Sequence, residues 1–293
     1  MFDFIIVGAG LSGAVMAERI ARVMGRKVLL IERRPHIAGN VYDRFNEQGI
    51  LIHQYGPHIF HTKLRHVWDY LSQFTEWRFY HHRVLGHIDG RLVPIPFNLN
   101  SLHHLLPCGL AGRLEDKLVR TFGYPAKVPI LKLRDSDDDE LKRLADYVYE
   151  KVFLHYTTKQ WGMKPEDLDP SVTGRVPVSI SRDDRYFQDA YQGMPADGYT
   201  RMIERMLDHP NIKLLLNTDY REALETDWST GAIRLFGQPF EGKLIFTGKI
   251  DELFDYEYGE LPYRSLRFEF ETLHQSQYQP VGTVNYPNEY DFT

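Results

Sequence analysis

The chain has a single cysteine, Cys108, among its 293 residues, which excludes an intramolecular disulfide and fits a reducing compartment. No nucleophile motif surrounds that thiol. Positive charge is also short: the formal net charge is -5, which argues against a general nucleic-acid binder but leaves room for a local basic pocket around an anionic small molecule. A membrane-spanning run is missing as well. The first apolar run is interrupted by glycines, follows Asp3 and has no basic flank, so it reads neither as a signal peptide nor as a span, and the cytoplasm is the expected location. There are no internal repeats and no low-complexity tract. What remains is 43% hydrophobic and 26% charged, a globular composition with room for two or three lobes, since single cores stop growing near ~250 to 300 residues.

The most informative feature sits at the amino end. Phe4 to Val7 form an apolar run that opens into G-x-G-x-x-G at Gly8, Gly10 and Gly13; a helix-like stretch from Ala14 to Met24 follows, and Lys27 to Ile31 form a second apolar run ending in Glu32. This is the sequence form of a βαβ dinucleotide site. Gly8 permits the tight turn, Gly10 lets backbone approach a pyrophosphate, and Gly13 lets the helix pack on the sheet with its N-terminus facing the anion. Glu32 is placed to accept from the adenosine ribose 2′-OH.

Further on, the periodicity changes several times, which suggests interleaved lobes. Leu64, Val67, Trp68, Leu71 and Phe74 recur at helical spacing and read as core. Phe79 to Asn100 alternates instead, with Asp89-Gly90 as a hairpin signal and Pro94 and Pro96 ending the pattern. Ser101 to Phe122 reads as helix, and a second helix starts at Ser136 with Asp137, Asp138 and Asp139 in its first turn; no Gly or Glu follows at calcium-loop spacing, so these read as a capped, solvated start. Leu141, Leu144, Val148 and Val152 continue its apolar face. After the helix-like Tyr199 to Leu207, Ile212 to Leu216 and Lys243 to Phe246 read as buried strands, the latter ending in Thr247-Gly248, which suits close backbone approach to a cofactor. The dinucleotide lobe is therefore expected to be discontinuous. Arg264 to Phe270 and Val281 to Tyr286 alternate like antiparallel strands.

Two other stretches carry chemistry. Tyr55-Gly56-Pro57-His58-Ile59-Phe60-His61 holds two histidines three apart, but no nearby carboxylate or cysteine completes a metal set. The second runs from Tyr156-Thr157-Thr158-Lys159-Gln160-Trp161-Gly162 through Arg175 to Asp183-Asp184-Arg185-Tyr186-Phe187. Aromatics interleaved with arginine suit a nucleotide, a flat ring stacking a base or sugar and a guanidinium gripping a diphosphate. The plain alternative is that Tyr156 and Trp161 are core aromatics and Arg175 is in a surface ion pair.

At these residues the chain resembles the UDP-galactopyranose mutase family. The matching segments are G-A-G-L-S-G-A-V at 8 to 15, I-E-R-R-P-H-I-A-G-N at 31 to 40, Y-G-P-H-I-F-H-T at 55 to 62, Y-T-T-K-Q-W-G at 156 to 162, R-V-P-V at 175 to 178, Y-Q-G-M-P-A-D-G-Y-T at 191 to 200, Y-R-S-L at 263 to 266 and V-N-Y at 284 to 286. They follow in family order along the whole chain.

The resemblance implies FAD, active in its reduced form, with Gly8, Gly10, Leu11, Ser12 and Gly13 at the pyrophosphate and Glu32 and Arg33 at the adenosine. Gly39, Asn40, His58, Ile59 and His61 would lie by the flavin, and Thr247 and Gly248 would close on it from the returning strand. His82, Val152, Phe153, Tyr156, Thr157, Trp161, Tyr186 and Asn285 would line the UDP-galactose cleft. Arg175, with His58 and His61, would serve the chemistry: isomerisation of UDP-galactopyranose and UDP-galactofuranose by covalent catalysis through flavin N5, with no net redox change. No metal and no nucleic acid enter the scheme, and a homodimer is compatible with it.

The implied fold is α/β: a discontinuous Rossmann-type FAD-binding domain (1–78 and 192–250), a helical insertion (101–168) and an antiparallel β-sheet substrate domain (79–100, 169–191 and 251–293). Two departures stand out. The usual Gly-Gly before Asn40 is Ala38-Gly39, and the family pattern continues past Thr293 with a second diphosphate arginine, late tyrosines and an aspartate, and a last flavin-binding turn. The chain therefore reads as a piece of a mutase, with exposed apolar strand surface expected. A non-catalytic FAD/UDP-sugar binding fragment is one competing function, and an amine-oxidase-like FAD oxidoreductase, which shares the N-terminal loop, is another.

Overall fold

The computed structural model describes residues 2–163, 167, 177–263, 265–288 and 290–293. They fall into two compact units, one of residues 1–80 with 189–263, the other of 81–188 with 264–293.

The first unit is built on a four-stranded parallel sheet in the order Ile212–Leu215, Val28–Ile31, Phe4–Val7, Lys243–Phe246. The strands expected over 4–7 and 27–31, the second observed as Val28–Ile31, thus pair with two strands that return some two hundred residues later, and the dinucleotide lobe is discontinuous. The strands read as unbroken apolar runs because both faces are covered. Side chains alternate across the sheet. Ile6, Val28 and Leu30 face a core shared with Ala14, Ala17 and Ala21 of the helix Leu11–Val23 and with Met202, Ile203 and Met206 of the helix Tyr199–Leu207. Ile5, Val7, Leu29 and Ile31 face the opposite side, where Leu224 and Phe240 belong to an antiparallel three-stranded sheet of Leu224–Asp227, Ala232–Leu235 and Gln238–Phe240. The alanines let the first helix lie close to the strands, and that closeness brings its N-terminus to the end of Val7.

One buried charge in this unit predicts a pH dependence. Glu18, 1% exposed, accepts from Arg19 at 2.5 and 2.7 Å, from Arg22 at 2.9 Å and from the Tyr70 hydroxyl at 2.8 Å. Burial opposes its ionisation, but the Arg19 and Tyr70 hydrogen bonds and the two guanidinium charges win and hold the carboxyl below its ordinary value of 4.5. A folded value below the unfolded one gives stability that is present above the unfolded pKa and lost as pH falls through the folded one. Glu18→Gln is therefore expected to cost about 1–2 kcal/mol near neutral pH, discounted for the half-exposed arginines, with the gap from wild type closing as pH falls below the ordinary glutamate value of 4.5. Urea melts across that range check it, and a gap independent of pH would rule the ion cluster out.

The second unit packs helices on a three-stranded sheet in which Val84–Ile88 pairs antiparallel with Arg91–Ile95 and parallel with Thr283–Asn285. The hairpin turns at Asp89 and Gly90, both at positive φ, as its sequence signal predicts. Four local expectations are corrected. Pro94 lies inside the second hairpin strand, opposite Leu85, and only the cis Pro96 lies beyond its end. The helix expected over 101–122 is two helices, Leu99–Leu105 and Cys108–Phe122, because Pro107 cannot continue the first and its fixed φ suits the start of the second. The helix expected from Ser136 is Asp139–Val148, capped by Asp138, whose carboxylate accepts from the Glu140 and Leu141 amides and pairs with Lys117 at 2.6 Å. Finally, the described part of 264–270 forms no strand and is exposed, and the 281–286 stretch yields a strand that pairs in parallel. Alternation says that one face is apolar; it does not supply an edge to pair with.

Among the described residues, no helix is long and apolar enough to cross a membrane.

Candidate functional site

The glycine turn closes three pieces of backbone on one another. Gly8, at φ 101, donates its amide to the Ile31 carbonyl, and Thr247 donates its own amide and its hydroxyl to the Val7 carbonyl at 2.9 and 2.8 Å. A Cβ on Gly13 would stand 1.8 Å from the Gly8 carbonyl oxygen, one on Gly8 would stand 2.3 Å from Thr247 Oγ1, and one on Gly39 would stand 2.9 Å from Gly10 Cα. The helix that follows begins on Gly10, which offers no capping side chain, and its first turn has no acidic residue. Its leading amides are therefore donors without a side-chain acceptor, at the positive end of the helix dipole.

In front of this turn is a cleft of about 600 Å³, within the usual range for a ligand site. Gly8, Gly10, Leu11, Ser12, Glu32, Arg33, Gly39, Asn40, His58, Thr247 and Gly248 line it. Gly13 stands behind it, packed on Gly8. Ile59 and His61 are not among its walls.

At one end Glu32 is buried, with Oε2 accepting from the Ala9 amide at 2.8 Å and Oε1 from the Arg34 amide at 2.9 Å. A carboxylate has about four lone-pair sites, so capacity for a ribose hydroxyl remains. Arg33 is more exposed and stands 3.8 Å from Glu252. Arg34, which the sequence reading passed over, lies 4.6 Å above the Tyr55 ring and gives Nη2 to Asn40 Oδ1 at 3.1 Å. Its Nη1 is buried and has no hydrogen-bond partner among the described residues. A buried guanidinium donor beside unpaired helix amides suits an anionic ligand, and a dinucleotide pyrophosphate fits that donor set. Tyr220, Lys249 and Tyr263 also line the cleft, with Lys249 Nζ 4.4 Å above the Tyr263 ring. The bend before Asn40 is formed by Ala38 at φ 72, a left-handed conformation that costs a non-glycine residue about 1–2 kcal/mol.

The histidine segment is ordered by hydrogen bonds. His58 donates its amide to His53 Nδ1 at 3.0 Å, and its own Nδ1 lies 2.9 Å from the Gly56 carbonyl. Burial pushes the His53 imidazole down, which agrees with a neutral ring accepting at Nδ1. His61 lies on the strand Phe60–Thr62, and its Nδ1 meets Asp189 Oδ2 at 2.5 Å.

The described residues expected at the nucleotide sugar belong to the second unit. His82 is buried, 5.8 Å from Tyr186 edge to face and stacked at 6.1 Å on Phe187, and its carbonyl accepts from the Tyr186 amide. Burial lowers its pKa, so it is neutral near pH 7. Val152 and Phe153 lie on a π-helical turn, Tyr149–Leu154, in that unit's core; such turns are rare and frequent at functional sites. Tyr156 and the buried Thr157 follow on the helix His155–Trp161. On the same helix Lys159 donates to the carbonyls of Tyr286, Tyr290 and Phe292, next to Asn285 on its strand. Arg175 lies outside the described residues, as does the side chain of Trp161.

Comparison with known proteins gives the family. A family model for UDP-galactopyranose mutase matches residues 151–293, and one for an NAD(P)-binding Rossmann-like domain matches residues 6–74. The UDP-galactopyranose mutase of Mycoplasma pneumoniae is 37% identical over 289 residues, which cover 98% of this chain and 71% of that protein. The dTDP-fucopyranose mutase of Escherichia coli is 34% identical over 290 residues, 99% of this chain and 74% of that one. A crystal structure of reduced UDP-galactopyranose mutase shares the fold, with a TM-score of 0.60 at 20% identity over 87% of this chain; the chain spans 57% of that structure's length. The chain belongs to the UDP-galactopyranose mutase family.

Proposed function

We propose that this chain serves the interconversion of UDP-galactopyranose and UDP-galactofuranose with reduced FAD as cofactor. The observation that carries the reading is the donor-lined cleft at the glycine turn, in a chain that aligns over 98% of its length with a mutase. When bound, reduced flavin supplies a nucleophilic ring nitrogen, N5, and is not consumed by an isomerisation.

The residues of this chain do the rest. The amides at the start of the helix Leu11–Val23, with Arg34, hold the pyrophosphate; Glu32 accepts from the ribose. Asn40, His58 and His61 serve the flavin side. In the second unit Tyr156, Thr157, Trp161 and Tyr186 bind the nucleotide sugar, with His82 as a neutral donor or acceptor and Asn285 from its strand. Departure of UDP from the anomeric carbon leaves charge on the diphosphate, and Arg175 is the group assigned to hold it.

Arg175→Ala is expected to keep the yellow flavin and lose about 10² to 10³ of turnover, the typical worth of one preorganised donor at a developing charge. Flavin absorbance together with sugar-ring interconversion, followed by chromatography, checks it. Unchanged turnover removes Arg175 from the mechanism; UDP binding with no turnover in the wild type selects a binding-only role. Because one relative acts on a dTDP-sugar, UDP and dTDP sugars are assayed side by side.

A further inference from the structure

The strands Phe60–Thr62 and Tyr191–Pro195 pair antiparallel with His61 opposite Gln192. Just before the second strand, Asp189 turns its carboxylate back to His61, and both side chains are largely withdrawn from water, 16% and 34% exposed. The Asp189 carbonyl accepts from Gln192 Nε2 at 2.8 Å, which ties this turn to the strand it precedes. An ionised carboxylate can only accept, so at 2.5 Å the His61 Nδ1 carries the proton, and in the neutral ring the basic lone pair is on Nε2.

We propose that Asp189 is a positioning residue for His61, holding the imidazole by Nδ1 so that Nε2 is its basic nitrogen. This rests on the reading of His61 as part of the cofactor side of a mutase site. The pair joins residues 128 apart in sequence, and neither the glycine loop nor the aromatic segments point to it. A plain clip between two strands would stabilise the sheet and leave the tautomer without consequence; a positioning role makes turnover follow the tautomer.

The test uses the full chain labelled with ¹⁵N, in which ring-nitrogen shifts of His61 separate an N–H nitrogen from one with a lone pair. Wild type is expected to show Nδ1–H. Asp189→Ala is expected to release that preference and to lower kcat about 10- to 100-fold with KM and flavin content unchanged, the loss seen when the hydrogen-bond partner that orients a metal-bound imidazole is removed. Asp189→Asn, close in size, serves as the second variant and covers a failure of the alanine form to fold. An amide that accepts from Nδ1 keeps the tautomer and must keep turnover; one that donates to Nδ1 inverts the tautomer and must lose it. The proposal is overturned by an Nε2–H tautomer in wild type, by an Asp189→Ala ring that keeps Nδ1–H, or by a tautomer change with full kcat. A wild-type chain inactive on any nucleotide sugar sinks the functional reading instead, while the ring nitrogens still decide whether Asp189 holds His61.

Discussion

Gly13→Ala yields a folded chain that purifies without flavin. The added methyl would lie 1.8 Å from the Gly8 carbonyl oxygen and 3.0 Å from its carbon, and both are backbone atoms of the turn itself. No rotamer change relieves such a contact. Either the helix start moves off the strand, or the Gly8 peptide turns; both carry the leading helix amides away from the position in which they meet a pyrophosphate. Overpacking of this kind costs typically about 1–3 kcal/mol in stability. The loss of aligned donors adds to that for binding, so flavin occupancy at a fixed concentration should fall at least about tenfold, the equivalent of 1.4 kcal/mol. Gly112→Ala is the matching control: it lies in the helix Cys108–Phe122 with nothing within 4 Å of the new Cβ, and removing a helical glycine is worth about 0.5–1 kcal/mol of added stability. Absorbance of the gel-filtered proteins and their melting temperatures decide the matter. Equal flavin content in wild type and Gly13→Ala would mean that the turn does not hold the cofactor.

The largest stability loss is expected at Asp43. Its carboxylate accepts from the Tyr199 amide at 2.6 Å and the Thr200 amide at 2.9 Å, while the Thr200 hydroxyl bonds the Asp43 backbone at 2.8 and 3.0 Å. The helix Tyr199–Leu207 begins on Gly198, which has no side chain to cap it, so a residue some 156 positions earlier supplies the cap. Asp43 is 3% exposed, and removing its carboxylate strands two amides, that of Tyr199 buried and that of Thr200 partly so. At about 1.5–3 kcal/mol for each hydrogen bond to a charged group, partly offset by water entry, Asp43→Ala should cost about 2–4 kcal/mol. Gly198→Ala tests the same joint from the other side. Gly198 has φ 93, and a Cβ there would stand 2.6 Å from Asp43 Oδ2. Both variants should melt several degrees lower, while Asp43→Asn, which keeps one acceptor, should fall between. Melting temperatures of the two within a degree of wild type would show that the helix is held by its apolar face alone.

The amino-terminal turn was legible because everything that makes it is local. An apolar run ending in glycine, a helix of small residues on one side and Glu32 after the second run lie within some thirty residues, and the same atoms meet in the structure. The hairpin at Asp89-Gly90 was legible for the same reason, since its φ values belong to those two residues. Arg34 was missed in favour of Arg33 because two adjacent arginines look alike in sequence; Tyr55, folded beneath one of them, separates them. The stretch 264–270 misled in the opposite way, because alternation records an apolar face whether or not a partner edge exists.

By itself the sequence determined the dinucleotide turn, the mixed α/β class and the family, since these rest on residue types at short spacing and on matches in order along the chain. Only the tertiary structure decided that Ile212–Leu215 lies beside Val28–Ile31, that Asp43 caps a helix it does not belong to, and that the Asp189 carboxylate meets the His61 ring. Such contacts join residues more than a hundred positions apart. Their energy depends on where burial of the two sheet faces brings the strands, and no short window of sequence contains that information.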